Sequence, residues 1–237
     1  GMAYLLYSEI RLPNGKRICY SRRGDVGVRR KGKQGMEIIF GEITEEKVNH
    51  AIPREFDAIM TWMGRALYPV CLTVDSSGKV KSILNWEEVR ERCREEGRRI
   101  ELYFEQSKLV QTYVQETLKG ASTEASLIEC LSVSNFFQLV RIALFPNQDT
   151  TYIIHDFPSQ GEVCTLGFQV DRGNDENETL YIATDKEEDG QVLSKEGTIR
   201  VRCNGEGFAD IIQMQCKIEV AGEGYYVRRL EIQRLEE

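Results

Sequence analysis

Histidine, the side chain that most often moves protons near neutral pH, occurs only at His50 and His155. His50 lies in a polar stretch before Pro53 and reads as a solvated side chain. His155 stands in YIIHDF beside Asp156. Neighbours on a strand point to opposite faces, so these two do not orient each other. Cysteine supplies the remaining nucleophiles. Cys19, Cys71, Cys93, Cys130, Cys164, Cys203 and Cys216 are an odd number spread along the chain, none within four residues of another. That spacing leaves no CxxC pair for zinc or dithiol chemistry. Free thiols used as small hydrophobes are the expectation, and they suit a reducing compartment. Cys164 met across a hairpin by His155 is the nucleophile pair the sequence allows, although nothing around Cys164 matches a known nucleophile signature.

Binding chemistry has one clearer pointer. Tyr226, Arg228, Leu230 and Ile232 share parity on the last strand, which places Arg228 on the apolar side. A guanidinium there must be salt-bridged, lie at the rim, or face a cavity that holds an anion. Trp62, Phe136, Phe137, Tyr226 and Arg228 therefore form the candidate ligand-binding set. No catalytic, metal or cofactor-binding residues are assigned, and no cofactor is expected. Neither GxGxxG nor GxxxxGK[ST] occurs. The acidic stretches DRGNDENE (171–178) and DKEEDG (185–190) lack the ligand alternation of a calcium loop and read as solvated loops, the second within a loop expected from Asp185 to Gly197.

Charge narrows the partners. The net charge of -7 argues against nucleic acid as the main partner, because neutralising phosphates needs a dense basic surface. The exception is the segment 16–33, with eight Lys or Arg residues against the single acid Asp25. Within it Arg17 to Ser21 reads as a second strand, and the Gly-punctuated stretch SRRGDVGVRRKGKQG (21–35) as a mobile basic loop or ragged hairpin. It lacks the interleaved aromatics of single-strand binders.

The elements that must position these residues follow from periodicity. Tyr4, Leu6, Ile10 and Leu12 alternate with polar partners, and Pro13-Asn14-Gly15 is a turn signal. Met36, Ile38 and Phe40 mark a third strand. Phe56, Ile59, Met60, Met63 and Leu67 repeat at helical spacing, with Pro53 suited to a first turn. A hairpin turning at Asp75-Ser76-Ser77-Gly78 comes next. A helix should then start at Trp86 behind an Asn85/Glu88 capping box and end near Gly97. Leu109 to Leu118 makes another helix. One long apolar helix is expected from Ser122 to Phe145, stopped by Pro146. From Thr151 the period is two, clearest in Ile212, Met214, Cys216, Ile218 and Val220.

These elements predict an α+β protein: a curved antiparallel β-sheet, half-barrel or sandwich-like, with a mid-chain helical insertion packing on its apolar face. The layout is similar to half-barrel or lipocalin-like binding proteins at the level of architecture, and this likeness transfers no functional residue. One domain is expected over 1–237, with N-terminal strands 3–43, a helix-rich middle 45–146 and C-terminal strands 151–235. A split near residue 147 is the alternative. At 237 residues and 41% hydrophobic content the chain can bury one large core. No charge-free run long enough for a transmembrane helix is present. Gly1 before Met2 reads as the remnant of a cleaved tag and predicts a chain that starts at its own initiator and stays in the cytoplasm.

The function that follows is a non-enzymatic cytoplasmic binding or interaction protein. Its partner is a protein, or a small apolar or anionic ligand held between sheet and helices. One alternative is a small-molecule hydrolase using scattered carboxylates with Cys164 and His155. Another is contact with an acidic partner or RNA through segment 16–33.

Overall fold

The computed structural model describes residues 2–30, 35–146, 149–155, 163–171, 177–185, 192–203 and 209–235. The described residues form eleven strands and five helices. The strands β1 (Met2–Arg11), β2 (Arg17–Arg30) and β3 (Met36–Val48) come first. Helix α1 (Glu55–Ala66) and the hairpin β4 (Val70–Val74) and β5 (Val80–Ile83) follow. Then come α2 (Trp86–Tyr103), α3 (Lys108–Gly120), α4 (Glu124–Ser132) and α5 (Asn135–Leu144). Six strands end the chain: β6 (Thr150–His155), β7 (Val163–Asp171), β8 (Glu178–Asp185), β9 (Val192–Arg202), β10 (Ile211–Val220) and β11 (Gly224–Arg234). The sheet is open, with order β5-β4-β3-β2-β1-β11-β10-β9-β8-β7-β6. Two meanders thus meet where β1 pairs antiparallel with β11.

By contact density the chain divides into two compact units. The first holds Gly1–Ala3 and Arg22–Ser132. Its strands set Ile38 opposite Leu72, and Leu72 opposite Ile83, all buried. Its helices pack through Ile59 and Met63 of α1, Ile100 of α2, and Val110 and Val114 of α3. Three expectations change here. The basic stretch is regular strand through Arg30, not a loop, while residues 31–34 lie outside the described residues. Asn85 does not cap α2 with its side chain: its Oδ1 accepts from Cys71 N (2.9 Å) and its Nδ2 donates to Pro69 O (3.0 Å), tying the helix start to β4. Nor does Gly97 end α2, which runs on to Tyr103. A Cβ at Gly97 would stand 2.9 Å from Leu118 Cδ1, so this glycine admits α3 to close packing.

The second unit holds Tyr4–Ser21 and Val133–Glu237. Period-two alternation builds its core. Ile212, Met214, Cys216 and Ile218 are buried, while Gln213 and Gln215 face the other way. Leu166, Phe168, Tyr181, Ile199 and Ile232 are buried in the same unit. The long helix expected from Ser122 to Phe145 is two helices, interrupted at Val133 and Ser134. Ser134 is the cause on the α5 side: its hydroxyl accepts from Phe137 N and starts a new helix. Gln138 of α5, 2% exposed, then does backbone work. Its Oε1 accepts from Ile153 N (2.8 Å) and its Nε2 donates to Ile153 O (2.7 Å). An amide side chain so completes β6, the strand at the end of the sheet. The stretch 192–197, expected as loop, belongs to β9.

Candidate functional site

Arg228 sits in the middle of β11, opposite Ile10 of β1 and Cys216 of β10. Its parity is that of Tyr226, Leu230 and Ile232, and all four are buried. Arg228 itself is 8% exposed. Among the described residues no carboxylate forms an ion pair with it, and its Nε has no hydrogen-bond partner. Burial lowers its pKa, while Tyr152 and Cys216 beside it act in the opposite direction. A guanidinium keeps its proton even so. Tyr152 belongs to the same neighbourhood: its hydroxyl meets Asn135 Oδ1 (3.0 Å) at the start of α5, and burial raises its pKa. Burial also pushes the Cys216 thiol up to about 12. The group thus combines one fixed positive charge with neutral hydroxyl and thiol groups in an apolar setting. Such a setting binds an anion or a strongly polarised oxygen.

The other members of the expected set distribute as follows. Tyr226 shares the Arg228 face, and its hydroxyl meets Glu223 Oε2 (2.5 Å). Phe136 and Phe137 form the first turn of α5, Phe137 buried. Trp62 lies in the first unit, on α1, with the Arg99 guanidinium 5.1 Å above its ring. It lines a cleft of about 630 Å³ between α1 and α2. The arginines of that cleft are committed to structure: Arg92 to Ala66 O and Pro69 O, Arg65 to Glu46, Arg99 to Glu96.

The nucleophile-pair alternative loses geometric support. Ile154 is the partner of Cys164, and Val163 that of His155. Cys164 is buried and His155 exposed, so the two side chains leave the hairpin on opposite faces and do not form a nucleophile pair. In the basic strand, Arg23 pairs with Glu45 (3.4 Å), Arg29 with Glu37 (3.6 Å), and Arg22 lies over the Tyr68 ring (5.2 Å). The acidic runs 172–176 and 186–190 fall outside the described residues.

A second polar site escaped the sequence reading. On the face opposite Arg228, a cleft of about 540 Å³ is lined by Tyr7, Glu9, Arg200, Gln213, Gln215 and Arg229, among others. Glu9 is only 7% exposed. Tyr7 Oη donates to Glu9 Oε2 (3.0 Å) and lies 3.3 Å from Cys19 Sγ. The Tyr7 hydroxyl pKa is raised, first by its Cys19 contact, then by burial and Glu9. Strand parity alone assigns Glu9 to solvent. Only the pairing of strands distant in sequence builds the cleft over it.

No family model matches this chain. No curated protein matches it either. Among solved structures it is similar to a lipovitellin described for its lipid–protein interactions, with 10% identity and a TM-score of 0.46. The match covers 99% of this chain and 24% of that one, so the chain spans about a quarter of its length. A DUF3598-family protein of unknown function from Nostoc punctiforme gives 8% identity and a TM-score of 0.15, covering 99% of this chain and 96% of that one. Likeness at these scores carries no argument about what the chain binds. Among the described residues no single helix is long and apolar enough to cross a membrane.

Proposed function

We propose that this chain is a non-enzymatic binding protein of the cytoplasm. Its ligand is an apolar small molecule with an anionic head, held against the apolar face of a curved, half-barrel-like sheet. Helix α5, the mid-chain helix of the same unit, packs on that face, and Arg228 receives the head. The observation that carries this reading is the burial of Arg228 without a carboxylate partner among the described residues. A buried, unpaired charge costs several kcal/mol by order of magnitude, and a bound anion offsets that cost. Tyr152 beside it supplies a hydroxyl, and Phe137 and Leu230 supply apolar surface in the same unit. The seven free thiols support a reducing location.

Alkyl carboxylates and alkyl phosphates of about ten carbons, with the matching alcohols, are suitable probes by calorimetry. The acids should bind and the alcohols should bind at least about tenfold more weakly, a difference of about 1.4 kcal/mol. Arg228→Met keeps length and removes charge, so it should abolish that preference while leaving the protein folded. Failure of the parent to bind any acid, or an Arg228→Met variant that binds acids as well as the parent, ends the proposal.

A further inference from the structure

We propose that the cleft on the opposite face binds a small zwitterion, its primary ammonium group on Glu9 and its carboxylate on Arg229. This inference is independent of the Arg228 reading, since consecutive residues of β11 face opposite sides of the sheet. It starts from the charges that line the cleft. Arg200 is paired with Glu178 (3.1 Å), and Gln213 donates to Glu231 (3.1 Å), so these groups satisfy one another. Glu9 and Arg229 remain. Glu9 is more than nine-tenths buried, yet its hydrogen-bond partners are the Tyr7 hydroxyl and, at 3.9 Å, the Cys19 thiol. No cation pairs with it among the described residues. A carboxylate in that state has lone pairs to offer and a charge to neutralise.

The donor chemistry selects the ligand. The described residues contain no group of three His, Cys, Asp or Glu side chains that could hold a metal ion, so Glu9 has too few companions for a divalent cation. An ammonium needs only a few acceptors, and the Glu9 carboxylate and the Gln215 carbonyl oxygen stand on one face. Arg229 is the register partner of both Glu9 and Gln215. It is exposed and makes no ion pair among the described residues. One β-residue partner apart is about 5 Å between Cα atoms. That brings a guanidinium and a carboxylate to the two ends of a molecule of amino-acid size. Leu180, the register partner of Arg200, adds a little apolar lining for its side chain.

Calorimetry with three probe sets tests this: free amino acids, their methyl esters and their N-acetyl derivatives. Free amino acids should bind, esters at least about tenfold more weakly, and N-acetyl derivatives not at all. Glu9→Gln should abolish amino-acid binding. Arg229→Met should reduce amino-acid binding to that of the ester, leave ester binding unchanged, and leave the melting temperature of the unliganded protein unchanged. Arg229 is exposed, so this variant keeps the test valid even where Glu9→Gln does not fold. The proposal is overturned by no binding of any free amino acid to the parent, by binding indifferent to Glu9→Gln, or by equal affinity for amino acids in the Arg229→Met variant. A loss of stability in Arg229→Met without any amine response marks a structural Arg229–Glu9 pair and overturns it as well.

Discussion

Asp75 closes the β4–β5 turn by itself. Its Oδ1 accepts from Ser77 N (2.9 Å), Ser77 Oγ (2.6 Å) and Lys79 N (3.1 Å), and its other oxygen pairs with Lys81 (3.0 Å). These bonds favour the ionised form and hold the carboxyl well below its usual range, the Ser77 hydroxyl foremost. A depressed folded pKa stabilises the protein above the unfolded value of about 4, and that stability is lost as pH falls toward the folded value. Asp75→Asn should therefore melt below the parent at neutral pH, and the gap should narrow as the pH is lowered through about 4. A gap constant from neutral pH down to about pH 2.5 would show that Asp75 does not titrate this way. The same residue scale shows what parity can and cannot see. Arg228 was legible from the sequence because its neighbours at two-residue spacing are apolar. Glu9 was not, because its parity is the polar one and its burial comes from β11 and β2.

At the scale of elements, strong alternation proved a reliable guide and continuous apolar runs did not. β10 follows the expected pattern residue by residue, because one face is buried along its length. The run from Leu127 to Leu144 contains no Gly or Pro, and its break rests on a serine cap that hydrophobic spacing cannot register. Gly97 and Asn85 misled for the same reason: each serves a neighbouring element, which local sequence does not display. Gln138 is the extreme case, a polar residue on an apolar helix that substitutes for a strand. Gln138→Leu removes both of its bonds to Ile153 and leaves an amide and a carbonyl without partners. At roughly 1–3 kcal/mol for each stranded group, a loss of about 2–6 kcal/mol is expected in urea unfolding. A loss under about 0.5 kcal/mol would mean that water replaces the side chain and that the strand end does not need α5.

For the whole molecule, the boundary between the two units does not fall in a linker. It runs through two strands: Gly1–Ala3 of β1 belong with the first unit and the rest of the strand with the second, and β2 changes unit between Ser21 and Arg22. β1 and β2 are each one continuous strand with residues in both units. Unfolding one unit alone would break off both strands part-way, and each stranded backbone group carries a cost. The chain should therefore unfold in one cooperative transition despite its two contact-dense parts. The residues that report on each part are conveniently segregated. Both tryptophans, Trp62 and Trp86, lie in the first unit, so fluorescence follows that unit alone. Cys164 and Cys216, both buried, lie in the second, so the rate at which they react with an alkylating reagent follows the other. In a urea series the fluorescence midpoint and the thiol-exposure midpoint should coincide within error. Two midpoints separated by more than about 0.5 M, each with a slope suited to half the chain, would show independent domains and refute a single folding unit.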